Sequence, residues 1–303
     1  MSEETNPSVL LSTPSSLESK FRSLYSPETT STPRQWRPAA QRNLRNRWSN
    51  LAQYRKDWST HLEKGLKIAN SLVNNYLSQR YIKGWEFGVV SDMPDIRKKT
   101  CQKLYKNQIL DRSKLLHCYK DMVATTVKMF QAAALMRCFT KGIGSPIVKF
   151  DFCPDENGHN DDGDGGGIKV FRFLSISSFE KLAAELVEMF ALELNLKRLL
   201  VVEFLSIDCG ELTGPCWSDE LYSGEFDDLY LCCLYSKETN KLKNPKMKEG
   251  QETDMPVKRT NHQLDRDVLE VYQTTWLAEV NIDTCRLEEI FSEAGEEIQV
   301  KFF

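Results

Sequence analysis

Residues 44–76 read LRNRWSNLAQYRKDWSTHLEKGLKIANSLVNNY. In this stretch Leu44, Trp48, Leu51, Arg55, Trp58, Leu62, Gly65, Ala69, Leu72 and Tyr76 are separated by alternating steps of four and three. That spacing lines one face of an α-helix with a heptad seam, and Leu66 and Val73 widen the seam. It predicts a helix from about Ala39 to Tyr81, a rod of roughly 60 Å at ~1.5 Å per residue. Trp48 and Trp58 are large for a two-stranded seam and point to a bundle or a heteromeric coil. Gly65 costs about 1 kcal/mol in a helix interior, which suggests a close approach by a neighbouring backbone.

Working outward, Leu115, Tyr119, Met122, Thr126, Met129, Ala133 and Met136 repeat the spacing and predict a second helix over 95–138. The methionines make that seam compliant. A third helix is expected from the pair Ser177 and Glu180, read as a capping box. Its seam is Phe179, Leu182, Leu186, Met189, Glu193, Leu196, Leu200 and Glu203. A fourth, over 264–278, places Val268, Leu269, Tyr272 and Trp276 on one face; a fifth starts at Asp283 as N-cap and stops at Gly295. Two alternating runs, 147–152 and 168–174, suggest a minor hairpin around a flexible Asp/Gly loop at 153–167. The expected fold is all-α: long heptad-patterned helices in an antiparallel bundle or coiled coil. Its expected parts are a disordered tail at 1–35, the bundle at 36–208, a flexible insertion at 209–262, and C-terminal helices at 263–303 that complete the bundle.

Composition agrees with a folded chain: 303 residues, 41% hydrophobic, 27% charged, net charge −3. No apolar run approaches the ~18 residues of a membrane helix, and Glu3 and Glu4 stand where a secretory signal wants positive charge. Nine cysteines, an odd number, suit reduced thiols in the cytosol or nucleus. The charge is polarised along the chain. From Arg34 to Lys83 there are eleven Lys/Arg against two acids, and from Gln263 to Phe303 three against ten. Opposite ends of this kind suit helices that pack as neighbours; alternatively the basic end meets an acidic partner. The Ser/Pro-rich tail holds Thr13, Ser26 and Thr32, each followed by proline, as minimal sites for proline-directed kinases. Arg22-Ser23-Leu24-Tyr25 in the same tail has the form of a cyclin-docking peptide.

A search for chemistry returns little. The four histidines, His61, His117, His159 and His262, lie in separate segments without a nucleophile motif or metal-ligand spacing. There is no phosphate loop and no dinucleotide fingerprint. Cys209, Cys216, Cys232 and Cys233 lack the pairing of a zinc site and read as free thiols. The run from Asn160 to Gly165 matches the first half of a calcium loop, but Phe171 stands where the bidentate Glu is needed. Leu196-Lys197-Arg198-Leu199-Leu200 spells a Leu-x-x-Leu-Leu motif, which any amphipathic helix yields. No catalytic, metal or cofactor site is expected.

The third helix is similar to a known one. Phe179, Leu186, Glu188-Met189-Phe190, Glu193-Leu194, Leu196-Lys197-Arg198 and Glu203 resemble the signature helix of the cyclin-dependent kinase 2-interacting protein (CINP) family. Trp48-x-Asn50-Leu51, Trp58, Gly65-Leu66-x-x-Ala69-Asn70-x-Leu72, Val127-Lys128-Met129, Trp276-Leu277 and Arg286-Leu287 continue the likeness in order. It covers roughly half the chain. Trp48 and Trp58 stand three residues further apart than the family's tryptophans, and the segment 209–262 has no counterpart. The resemblance implies a non-enzymatic nuclear adaptor, present also in the cytoplasm. Implied partners are a cyclin-dependent kinase with its cyclin, an ATRIP-like checkpoint complex or an AAA+ ATPase; the length of the seam itself suggests a second coiled-coil chain as a further partner. The implied processes are DNA replication, the damage checkpoint and repair, and ribosome maturation.

Expected partner-binding residues are Trp48, Trp58, Met189, Phe190, Leu196 and Trp276 as anchors, with Lys197 and Arg198 as exposed recognition charges beside the seam. Two other readings stay open: a structural coiled-coil subunit of a cytoskeletal or tethering complex, and nucleic-acid binding through the basic first helix.

Overall fold

The computed structural model describes residues 33–84, 86–137, 169–207, 214–245 and 265–302. Among them the fold is all-α, with six helices and a minor antiparallel hairpin. Helix α1 runs over Pro33–Tyr81, α2 over Ile96–Ala134, α3 over Ile176–Leu205 and α4 over Glu225–Leu231. Strands β1 (Tyr235–Ser236) and β2 (Lys241–Leu242) follow, then α5 (Arg266–Ala278) and α6 (Thr284–Ile298). None of these helices is long and apolar enough to cross a membrane.

Side-chain pairs fix the topology. Asn43 reaches the carbonyls of Leu135 and Met136 at 3.0 and 2.9 Å, and Ser71 meets Asp111 at 2.7 Å, so α1 and α2 are antiparallel. Arg137 pairs with Glu180 at one end of α2, and Arg112 donates to the Ile207 carbonyl towards the other, so α3 turns back along α2. Trp276 Nε1 donates to the Leu62 carbonyl at 3.1 Å, and Arg45 donates to the Ile298 carbonyl at 3.3 Å. Helices α5 and α6 therefore form one broken fourth column, antiparallel to α1 and to α3. The result is an up-down-up-down four-column bundle with one contiguous core.

The heptad reading of α1 holds: every seam position it named is buried except Arg55 and the flanking Leu66, which are half-buried. All seven seam positions named for α2 are buried as well. Boundaries and caps differ in detail. The α3 cap is Ser175, whose hydroxyl accepts from the Ser178 amide at 3.2 Å, and Glu180 pairs with Arg137 instead of completing a capping box. Asp283 does cap α6, through the Arg286 amide at 3.0 Å. Gly295, however, lies inside α6, which ends at Gln299 with a left-handed φ of 60°. A Cβ on Gly295 would fall 2.6 Å from the Val300 carbonyl, so the glycine admits the returning chain and does not stop the helix. At Gly65 the close neighbours are the Trp276 ring and the Cys118 sulfur, side chains where a backbone was expected.

The described hairpin lies at 235–242, within the span expected as a flexible insertion. Residues 214–245 of that span are folded on the bundle: Leu229, Cys232 and Leu234 join the core. Of the hairpin expected earlier, residues 169–175 form a single bridge between Lys169 and Ser175. Its other run, the Asp/Gly loop, the tail with Thr13, Ser26 and Thr32, and residues 246–264 lie outside the described residues.

Candidate functional site

Five of the six expected apolar anchors are core. Trp48, Trp58, Met189, Phe190 and Trp276 are each at most 1% exposed, and Leu196 is half-buried. Trp48 meets Phe179 and Phe291 with ring centroids 6.2 and 5.9 Å away. Trp58 packs edge-on to Phe190 at 5.3 Å and donates its indole N–H to Glu279 at 2.7 Å. Trp276 is wedged against Gly65 and Phe204. The expectation that these anchors meet a partner is corrected: the α5–α6 column covers the faces of α1 and α3 that carry them.

Lys197 and Arg198 are corrected more sharply, because both are fully buried. Lys197 Nζ lies 2.5 Å from Glu193 and donates to the carbonyls of Trp276 and Thr275 at 2.6 and 3.2 Å. It thus supplies a cation and donors at the C-terminus of α5, where carbonyls lack helical partners. Glu193 also accepts the Asn281 amide at 3.0 Å, so this i,i+4 pair staples the break between α5 and α6 to α3. Burial lowers the Lys197 pKa, and the Glu193 carboxylate opposes that shift.

Arg198 holds the other side. Its Nε and Nη2 meet the Glu225 carboxylate at 2.8 and 3.3 Å, while Nη1 and Nη2 donate to the Trp217 and Asp219 carbonyls at 2.7 and 2.6 Å. Glu225 accepts in addition from the Tyr119 hydroxyl and the Leu221 amide, at 2.7 and 2.6 Å. Burial first, and the Glu225 charge next, push the Tyr119 pKa well above its ordinary value, so its proton stays on that bond. The guanidinium fork is used as a rivet between α2, α3 and the 214–245 segment. In sequence, charges beside a seam read as solvent-facing; here α3 is enclosed by α2, α4 and α5 and has little outer face.

The polarised charge is resolved within the fold. Arg55, on basic α1, feels Glu288 and Glu279 of the acidic C-terminal segment, and Arg45 caps the end of α6. Intramolecular pairing is the arrangement these residues adopt.

What remains outward-facing concentrates where α3 has ended. Tyr105, Ile109 and Leu110 on α2 are 46, 50 and 52% exposed, and Val89 in the α1–α2 connection is 96% exposed. Around them Arg97, Lys98, Lys99, Lys103 and Lys106 are exposed, and no acid occurs between Ile96 and Leu110. On α5, Val268 and Val271 are 39 and 60% exposed. The sequence carried this signal, a basic stretch interleaved with Tyr105 and Ile109, but the greater charge of α1 drew the reading to the first helix.

No group of three or more His, Cys, Asp or Glu that could hold a metal occurs among the described residues. His61 is half-buried, and its carbonyl accepts from the Cys118 thiol at 3.1 Å; His117 lies 3.8 Å from Asp121. The cysteines described are free thiols, and burial pushes Cys118 up to about 11. No family model, curated protein or solved structure matches the chain.

Proposed function

We propose that this protein is a non-enzymatic adaptor of the cell nucleus whose bundle presents surface to larger assemblies. One observation carries the reading: exposed Tyr105, Ile109 and Leu110 interleave with the exposed basic residues Arg97, Lys98, Lys99, Lys103 and Lys106 on a stretch of α2 that holds no acid. Aromatic and aliphatic side chains held on helices lose little freedom on docking, which favours protein–protein contact. The likeness to the CINP family supplies the pathway in this proposal. The partners would be cell-cycle or checkpoint kinases, or AAA+ ATPase assemblies, in DNA replication, genome maintenance or ribosome maturation.

The test is affinity purification of the tagged full chain from dividing cells, read by mass spectrometry. Enrichment of kinase, checkpoint or AAA+ ATPase subunits is the expected result. Recovery of the bait alone, or of cytoskeletal proteins alone, would refute the adaptor reading. Charge reversal at Lys197 or Arg198 is the wrong control, because it would break buried ion pairs and unfold the bait.

A further inference from the structure

The segment 214–245 carries one short pattern twice. Asp219-Glu220-Leu221-Tyr222 is followed by Asp227-Asp228-Leu229-Tyr230, each a tyrosine behind two acids and a leucine. Tyr54, Tyr81 and Tyr105, by contrast, each adjoin a lysine or arginine. Two carboxylates just before an acceptor suit a tyrosine kinase with a basic peptide groove, because charge complementarity selects the substrate.

The two copies differ in backbone. Tyr230 lies in the last turn of α4, and a kinase groove takes its acceptor in extended form, so the helix would have to unwind around it. Residues 214–224 form turns and bends without a helix or strand, and Tyr222 lies among them, half-buried. The acids before it, Asp219 and Glu220, are exposed.

Tyr222 sits beside the rivet. Its hydroxyl donates to the Asp228 carboxylate at 3.0 Å, its ring centroid is 6.3 Å from that of Tyr119, and the Lys120 ammonium lies 4.9 Å from its centre. Tyr119 in turn donates to Glu225, the fully buried partner of Arg198. This position resists even one negative charge: burial first, and the Asp228 charge next, push the Tyr222 pKa up. A phosphate ester there carries nearly two charges at neutral pH and has no hydroxyl proton to give Asp228. It would replace a hydrogen bond by repulsion from Asp228 and Glu225, with the single cation of Lys120 against them.

The rivet can also let go in one piece. Glu225 and the Trp217 and Asp219 carbonyls, which hold Arg198, all come from 217–225, the stretch that contains Tyr222. Displacing that stretch gives the whole guanidinium to water. Arg198 is then not left buried and unpaired, as it would be if one partner were removed.

We infer that Tyr222 is a phosphorylation site for an acid-selecting tyrosine kinase, and that its phosphate holds the clasp 217–231 open, away from α2 and α3. In the transfer the Tyr222 oxygen bonds the γ-phosphorus of ATP while the bond from that phosphorus to the β,γ-bridging oxygen breaks. ADP leaves, and the hydroxyl proton passes to the catalytic carboxylate of the kinase. The kinase meets the tyrosine when the stretch opens transiently, and the phosphorylated side chain cannot return to its place beside Asp228. Leu229 leaves the core with it. The inference stands apart from the adaptor reading, which the purification tests.

The experiment uses the full chain carrying Tyr230→Phe, which removes the second copy of the pattern. It is incubated with Mg·ATP and the catalytic domain of an acid-selecting tyrosine kinase. Tandem mass spectrometry should place phosphate on Tyr222 and none on Tyr54, Tyr81 or Tyr105. Asp219→Asn/Glu220→Gln in the same chain should slow the modification about fivefold or more. Hydrogen exchange across 217–231 should then be roughly tenfold faster or more in the phosphorylated chain, and unchanged across 44–76 of α1. Tyr222→Phe, treated alike, should keep its protection. Asp228→Asn, once phosphorylated, should open less than the parent, since the repelling carboxylate is gone.

No phosphate on Tyr222, or an unchanged rate in the Asp219/Glu220 variant, overturns the assignment of the site. Phosphate on Tyr222 with unchanged exchange across 217–231 overturns the latch. So does a loss of protection that spreads equally through α1, which would be unfolding of the bundle and not opening of the clasp. Equal opening in Asp228→Asn overturns repulsion as its cause.

Discussion

From Asp111 to Ala133, α2 places Leu115, Tyr119, Met122, Val123, Thr126, Met129 and Phe130 in the core, while from Ile96 to Leu110 only Gln108 is buried. Both halves belong to one helix with one hydrophobic phase; they differ in how many columns surround them. In the first, α1 lies on one face and α3 on the next, and α4 adds a third neighbour at Tyr119 through Glu225. In the second, the α3 face has no cover from the described chain. The comparison teaches that an apolar stripe is core or surface according to where its neighbour ends. It also separates two uses of charge: Arg198 and Glu193 rivet columns together in the closed half, and the lysines of the open half face outward.

The largest effect should come from removing a rivet. Arg198→Ala leaves Glu225 buried and uncompensated, and the closed half should lose about 3–5 kcal/mol, read as a fall in the urea midpoint. Gly65→Ala should come next. Its methyl group would overlap the Trp276 ring, whose indole N–H is tied to the Leu62 carbonyl, so the ring cannot swing away freely. A cost of about 1–3 kcal/mol is expected, again from denaturant unfolding. By contrast, Ile109→Asp in the open half should change stability by no more than ~0.5 kcal/mol, because its side chain is half in water already. A large loss there would mean that the two halves are not different after all.

The smallest effect concerns pH. Burial raises the Glu279 carboxyl above its usual range, against the Trp58 hydrogen bond and the Lys197 charge, which lower it. A raised value in the folded state means that folding tightens the proton. This contribution to stability is therefore complete below the unfolded carboxyl value of about 4.3 and fades as pH rises through the folded one. Glu279→Gln should flatten that part of the stability profile between pH 4 and 7, measured by urea midpoints at each pH.

Much of the closed half was legible in the sequence. The four-three spacing of Leu44 to Tyr76 and of Leu115 to Met136 identified seams that are indeed buried, and Trp48 and Trp58 pointed correctly to more than two strands. What the periodicity could not supply was the enclosure of α3. Lys197 and Arg198 lie at flank positions that face water when one neighbour packs on the seam, and are buried when neighbours pack on both sides. Glu225, the partner of Arg198, comes from a segment whose Gly, Asp and Lys content read as an insertion. The exposure of the open end of α2 was hidden for a related reason. Ile109 and Tyr105 keep the phase of the α3-facing stripe, and among the described residues α3 ends before it reaches them.

The contrast between the halves of α2 is most directly tested by hydrogen exchange of the free protein, read residue by residue along that helix. The amides of residues 115–133 should exchange only by global unfolding, with protection equal to the full stability, while those of 97–107 open locally and exchange many-fold faster. Uniform protection from Ile96 to Ala134 would contradict the account, showing that the open end is as fully packed as the closed one.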